Sequence, residues 1–233
     1  MTNLQTLLAG RDGAVLVLTM NRPEKANAMN EDMHNALVAQ LESAGKDSSI
    51  RAVLLSAAGT RVFSAGADLK EFAELERSDG ARKRRSLLLR TLNAVLDFPK
   101  PLVAAVQGKA LGAGCMLALL ADETVMADSA ELGLPEIKHG IPTPVGYVIA
   151  AARAGMPIAR QMVQGGEPVD AKKAYAAGLA DAVVNFSSLK LISMAQARAW
   201  AALSGLSFDA NKKFMNAGLR AAVQAAFAEA DRL

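Results

Sequence analysis

The chain has 233 residues, of which 52% are hydrophobic, 21% charged and 4% aromatic, with a formal net charge of +3 and one cysteine. That composition excludes extended disorder and a disulfide-stapled scaffold, and it argues against a nucleic-acid binder, which sets basic residues beside aromatic stacking groups. With so few rings, the core must be filled by Ala, Leu, Val and Met.

The N-terminus, MTNLQTLLAGRDG, lacks a basic stretch followed by a long apolar one, so no signal peptide is expected. Residues 14–20 (AVLVLTM) predict a strand, and Asn30 is placed to cap a helix from Glu31 with Met33, Leu37 and Leu41 on one face. Residues 51–56 and 102–106 predict strands, with a helix over 81–96 between them. A helix over 112–120 opens directly after a glycine turn, and residues 123–127 predict another strand. The longest apolar run, 110–121, contains glycines and is too short to cross a bilayer. Strands alternating with helices imply an α/β fold with largely parallel strands. Residues 189–203 and 209–230 are Ala-rich with helical spacing, so we divide the chain into a core over 1–187 and a helical region over 188–233. A cytoplasmic enzyme is the expectation.

The basic cluster RKRRSLLLR at 82–90 reads first as a solvated helix face, and alternatively as electrostatic help for an anionic ligand. Cys115, between Gly114 and Met116, reads as a buried structural thiol. With His34 and His139 as the only histidines, no metal cluster is expected.

Two glycine turns carry the chemistry. In Ser64-Ala65-Gly66-Ala67-Asp68, Gly66 can take backbone angles closed to other residues and Asp68 can cap a following helix. Such a turn offers free N–H groups at a helix N-terminus, where the dipole favours negative charge. Leu111-Gly112-Ala113-Gly114 repeats the pattern. Two N–H donors converging on one point would stabilise a thioester enolate, each being worth about 3–4 kcal/mol in the transition state. Taken singly, either turn is equally a tight strand-to-helix connection.

The ordered set RPEKANAMN (22–30), FSAGADLKE (63–71), KPLVAAVQGKALGAGC (100–115), ADSAELGLPEIKHGI (127–141) and AKKAYAAGLADAVV (171–184) resembles the crotonase (enoyl-CoA hydratase/isomerase) superfamily over residues 15–216. The resemblance implies a spiral core of repeated β-β-α units and a helical C-terminal region used in a homotrimer or dimer of trimers. It also implies an acyl-CoA thioester substrate whose CoA makes a separate cofactor unnecessary. It assigns the two oxyanion donors to the N–H groups of Ala67 and Ala113, the latter replacing the family's usual glycine. Ala65, Gly66, Asp68, Leu69, Gly112 and Met116 fall on acyl-CoA-pocket positions, and Lys25 and Ala26 on the stretch approaching the CoA phosphates and pantetheine. Relatives commonly run on past the point corresponding to Leu233 through a segment that helps cover the acyl-CoA and pack against neighbours, so the resemblance leaves the pocket lid and the trimer unassigned here.

Hydration of a conjugated double bond uses two carboxylates, one as base and one as acid. The resemblance puts those positions at Met116, which cannot transfer a proton, and at Glu136. Near apolar Leu134, Ile137 and Ile141, the Glu136 carboxyl is expected to titrate high. One glutamate suffices to move a double bond from the 3 to the 2 position, and relatives that isomerise keep the later glutamate with an apolar residue earlier. A further acid slot used by some relatives is Pro144 here. His139, Tyr147 and Trp200 read as solvated or packing residues. The expectation is therefore an enoyl-CoA isomerase using Glu136. The alternatives are a hydratase and a catalytically weak acyl-CoA-binding homologue. A nicotinamide dehydrogenase fails because Leu117 stands where the fingerprint needs a third glycine.

Overall fold

The structure, a computed structural model, describes residues 5–71, 77–230 and 232. A hairpin of β1 (Leu7–Asp12) and β2 (Val15–Met20) leads through a 3-10 turn at Pro23–Lys25 to α1 (Glu31–Lys46). The Asn30 side chain caps that helix, accepting from the Met33 N–H at 3.1 Å. There follow β3 (Ala52–Ala57), β4 (Val62–Ser64), α2 (Arg77–Leu96), β5 (Leu102–Val106) and β6 (Lys109–Leu111). Next come α3 (Ala113–Leu120), β7 (Glu123–Ala127), β8 (Glu131–Gly133) and a 3-10 turn at Pro135–His139. After them stand α4 (Pro144–Ala154), α5 (Met156–Arg160) running into a π-helical turn, β9 (Val169–Asp170) and α6 (Ala171–Ala177). The chain closes with β10 (Ala182–Val184), α7 (Phe186–Ala201) and α8 (Gly205–Ala230).

The strands form two sheets, in the orders β1-β2-β3-β5-β7-β10 and β4-β6-β8-β9. From β3 onward the chain deals strands alternately to the large and the small sheet as far as β8, and that alternation is the spiral of β-β-α units expected from the resemblance. β5 is buried at every residue, as befits a parallel strand covered on both faces. α7 lies across the large sheet with Leu189, Ser193 and Ala197 buried, while α8 packs on α4 and α2. α3 is buried along its whole length and connects the site to the core. Among the described residues, no helix is long and apolar enough to cross a membrane.

Candidate active site

The first glycine turn is held by the loop before α1. Ala26 and Asn27 both adopt left-handed backbone, at φ 52° and 50°. Asn27 is buried and fully used: its Oδ1 accepts from the Arg22 N–H at 2.9 Å, and its Nδ2 donates to the Ala58 and Val62 carbonyls at 2.9 and 3.0 Å. Its own carbonyl accepts from the Ser64 hydroxyl at 2.9 Å, and that hydroxyl accepts from the Gly66 N–H at 3.2 Å. The Ala65 N–H donates to the Ala26 carbonyl at 3.0 Å. Arg22 closes the strap with an ion pair to Asp68 at 2.9 Å.

This strap frees the Ala67 N–H. Met29 pairs with Ala67 in an isolated parallel bridge, donating to the Gly66 carbonyl at 2.7 Å and accepting from the Asp68 N–H at 3.0 Å. In a parallel pairing one residue bonds the two that flank its partner, so the N–H of Ala67 faces away from Met29. The expected mechanism was different. Described residues after Asp68 form a turn to Glu71, residues 72–76 lie outside the described residues, and α2 begins at Arg77, so a helix N-terminus directly after the turn is not what frees this donor. Asp68 likewise spends its carboxylate on Arg22, not on a helix cap.

The second turn follows the expected plan in its helix and differs in its strand, since β6 intervenes after β5. Gly112, at φ 52°, precedes α3, and Ala113 is the first helical residue, whose N–H has no partner within the helix. Among the described residues, neither the Ala67 nor the Ala113 N–H has a protein acceptor. The two turns touch. A Cβ on Gly66 (φ 90°) would stand 2.9 Å from the Leu111 carbonyl oxygen and 3.3 Å from the Ala113 nitrogen, while one on Gly114 would meet the Ser64 Cβ at 2.6 Å. Only glycine satisfies both the backbone angle and the space at position 66.

Glu136 enters this junction from the 3-10 turn after β8. A Cβ on Gly112 would stand 3.3 Å from its Oε1, and Oε2 is buried with no hydrogen-bond partner. Burial pushes its carboxyl above the ordinary value, against the opposing pull of its own backbone N–H, the Arg84 guanidinium and the Thr143 hydroxyl. Among the described residues, no second carboxylate is one of the groups acting on it. Met116 is 2% exposed, and its methyl lies 3.1 Å from where a Cβ on Gly146 would stand, so the earlier acid position is occupied by packing. Cys115 is fully buried and burial pushes its thiol up, which leaves it unreactive.

The structure thus brings Ala26, Ala65, Gly66, Ala67, Asp68, Gly112, Ala113 and Glu136 together. Lys25 is exposed on its 3-10 turn beside Ala26, and Leu69 is 41% exposed at the end of the first turn. His139 is exposed, and Tyr147 lines a cavity of about 450 Å³ with Ile137, Ile141 and Thr143. Trp200 packs edge-on against Phe208, with ring centroids 5.7 Å apart. The four residues the sequence did not single out are Asn27, Ser64, Thr143 and Arg84. Arg84 belongs to the basic cluster at 82–90, for which the sequence leaves a solvated face and electrostatic help for an anionic ligand both open; it is half-buried on α2. Among the described residues there is no grouping of metal ligands. The arrangement offers two unspent N–H donors and one partly desolvated carboxylate, a set suited to stabilising an oxyanion while moving a proton.

A family model described as enoyl-CoA hydratase/isomerase matches residues 10–233. A 2,3-dehydroadipyl-CoA hydratase from Escherichia coli K12 is 38% identical over 231 residues, covering 99% of this chain and 89% of the relative. A short-chain-enoyl-CoA hydratase from Clostridium acetobutylicum is 30% identical, covering 97% of this chain and 86% of the relative. Among solved structures, an enoyl-CoA hydratase/isomerase from Xanthobacter autotrophicus Py2 superposes with a TM-score of 0.90 at 28% identity, covering 97% of this chain and 86% of that one.

Proposed function

Because the chain belongs to the enoyl-CoA hydratase/isomerase family, we propose that it moves the double bond of a 3-enoyl-CoA to the 2 position with Glu136 as the sole proton shuttle. The thioester oxygen accepts hydrogen bonds from the N–H groups of Ala67 and Ala113. Ionised Glu136 takes a proton from C2, the electron pair flows onto that oxygen as an enolate, and Glu136 returns the proton at C4. The observation carrying this reading is that no second carboxylate among the described residues acts on Glu136, while Met116, at the position the resemblance gives to an earlier acid, is buried and cannot transfer a proton. Raised basicity in a partly desolvated site suits a carboxylate to removing a weakly acidic proton.

The names of the relatives favour a second reading, hydration of a 2-enoyl-CoA, with Glu136 both activating the water and protonating C2. Turnover of 3-enoyl-CoA against hydration of 2-enoyl-CoA by the purified protein separates the two. The isomerase reading expects bond migration to dominate, and efficient hydration with negligible migration would overturn it. Glu136→Gln should abolish either activity. An unchanged rate in that variant would remove Glu136 from the mechanism.

The same reading includes self-association. Leu206, Phe214 and Met215 on α8 are 88%, 85% and 73% exposed, an apolar surface suited to a second copy. Light scattering that finds only single chains would count against it.

A further inference from the structure

The cavity beside Tyr147 enters no step of the proposed reaction. It measures about 450 Å³, inside the roughly 300–1,000 Å³ range of small-molecule sites, and Ile137, Ile141, Pro144 and Val163 form its apolar walls. None of Gly66, Ala67, Gly112, Ala113 and Glu136 is among its described lining residues. Glu136 turns its carboxyl to Gly112, whereas Ile137 meets Gly166, where a Cβ would lie 2.9 Å from the Ile137 Cγ2. Adjacent side chains of one 3-10 turn thus serve two different places. The polar groups of the cavity come partly from an unusual segment. α5 ends at Arg160 and runs into the π-helical turn Gln161–Gly165, a rare geometry found frequently at functional sites. That turn supplies Val163 and Gln164 to the lining, and the exposed Arg160 and Gln164 stand at the mouth. Cations nearby are spent, since Lys138 pairs with Glu167 at 2.8 Å and Lys173 donates to Gln161 at 2.9 Å. Among the described residues, the side chains of Tyr147, Arg160 and Gln164 have no hydrogen-bond or ion-pair partner.

We propose that this cavity is a second ligand site, separate from the thioester junction, and that it takes a free aliphatic carboxylate. Its three unspent side chains all offer donors: a guanidinium, a phenol hydroxyl and a carboxamide. No acidic residue is among the described lining residues, so Arg160 sets the sign of the site. A guanidinium presents a planar fork that matches the two oxygens of a carboxylate. The alkyl chain behind that head group removes Ile137, Ile141 and Val163 from water, which favours binding in proportion to the apolar area covered. An inorganic anion gains the fork without the walls, a neutral lipid gains the walls without the fork, and an alkylamine is repelled by Arg160. The inference stands apart from the acyl-CoA reading, since no residue of the thioester junction enters it.

Calorimetry on the full chain with octanoate, 1-octanol, octylamine and inorganic phosphate tests this. Octanoate is expected to bind saturably, and 1-octanol about tenfold more weakly or worse, the worth of a charge-assisted pair. Octylamine and phosphate should not bind. Arg160→Gln, at an exposed position, should bring octanoate down to the level of 1-octanol, and Arg160→Lys should restore part of the difference. Val163→Trp, which fills the cavity, should abolish octanoate binding while the thermal midpoint stays close to that of the wild type. Saturable octanoate binding that persists beside bound octanoyl-CoA would support a second site. Absence of octanoate binding would overturn the proposal, as would equal binding of 1-octanol or an unchanged affinity in Arg160→Gln. Displacement of octanoate by octanoyl-CoA would also overturn it, because the cavity would then seat the acyl tail of the substrate. Octanoate binding that is lost as chains associate would give the groove to a second copy and overturn it likewise. Octanoate binding without any binding of octanoyl-CoA would remove the acyl-CoA reading and leave this inference standing.

Discussion

At Glu136, burial opposes the charged form while the backbone N–H, Arg84 and Thr143 support it; burial wins, and the carboxyl titrates above its ordinary 4.5. In strong acid the folded and unfolded chains both hold it protonated, so it costs nothing. As the pH rises, the unfolded chain ionises first, and the folded chain loses stability until the folded value is passed. Glu136→Gln is therefore expected to match the wild type in acid and to exceed it at neutral pH, a gap that urea midpoints at the two pH values would reveal. The rate of the proposed isomerisation should rise with pH through that same elevated value, since the base must be ionised. An unshifted midpoint near the ordinary carboxylate value would contradict the burial argument. Glu136 was legible in the sequence because apolar neighbours and the GLPEIKHG match coincide. Arg84 was not, because it acts through space on a residue far along the chain, and Thr143 was not, because its hydrogen bond to Glu136 depends on how the intervening turn folds.

Between elements, the contact of α1 with α2 contains a proton whose position can be deduced. Thr91 donates its one hydroxyl proton to the Leu87 carbonyl at 2.9 Å, so at 2.7 Å it must accept from His34, whose Nδ1 therefore carries the hydrogen. Burial, assisted by Arg90, lowers the His34 pKa to about 4 from 6.5. The folded state binds that proton more weakly than the unfolded state, so stability is lost as the pH falls from about 6.5 to about 4, by about 3 kcal/mol at full extent. His34→Gln should flatten the acid limb of a denaturation-against-pH profile, and a slope unchanged by the substitution would refute the assignment. At this scale α1 was legible from its Asn30 cap, and β5 from its continuous apolar run. β4, β6, β8 and β9 are two or three residues long, too short to show a period of two, and they exist because distant strands pair with them. The strap from Arg22 to Asp68 escaped notice for a related reason. Its anchor, Asn27, shows its importance only when four separate backbone and side-chain partners are in place.

Over the whole molecule, α8 is fastened by a buried charge. Lys212, 4% exposed at its side chain, pairs with Asp122 at 2.6 Å and lies 5.8 and 5.7 Å from the ring centres of Phe98 and Phe208. Asp122 also accepts from the Leu102 N–H at 2.9 Å, so the pair fixes α8 against the start of β5. Lys212→Met should cost about 3 kcal/mol by leaving Asp122 buried without its cation. Adding Asp122→Asn should recover most of that, because the amide oxygen still accepts from Leu102. Denaturant titration of both variants checks this, and a double variant no better than the single one would mean that the helix is held by packing alone. The dealing of strands between two sheets was not legible from local periodicity, which reports one element at a time. It was reached only through the family resemblance of the ordered motifs.

In the proposed reaction the two donors to the thioester oxygen are main-chain groups, and a codon change does not remove a main-chain N–H unless it introduces proline. On that reading a lineage can accept point mutations at the side-chain positions around the donors, such as 116 and 136, while keeping the means of activating a thioester. Descent from such an ancestor would vary the reaction far more readily than the class of compound on which it is performed.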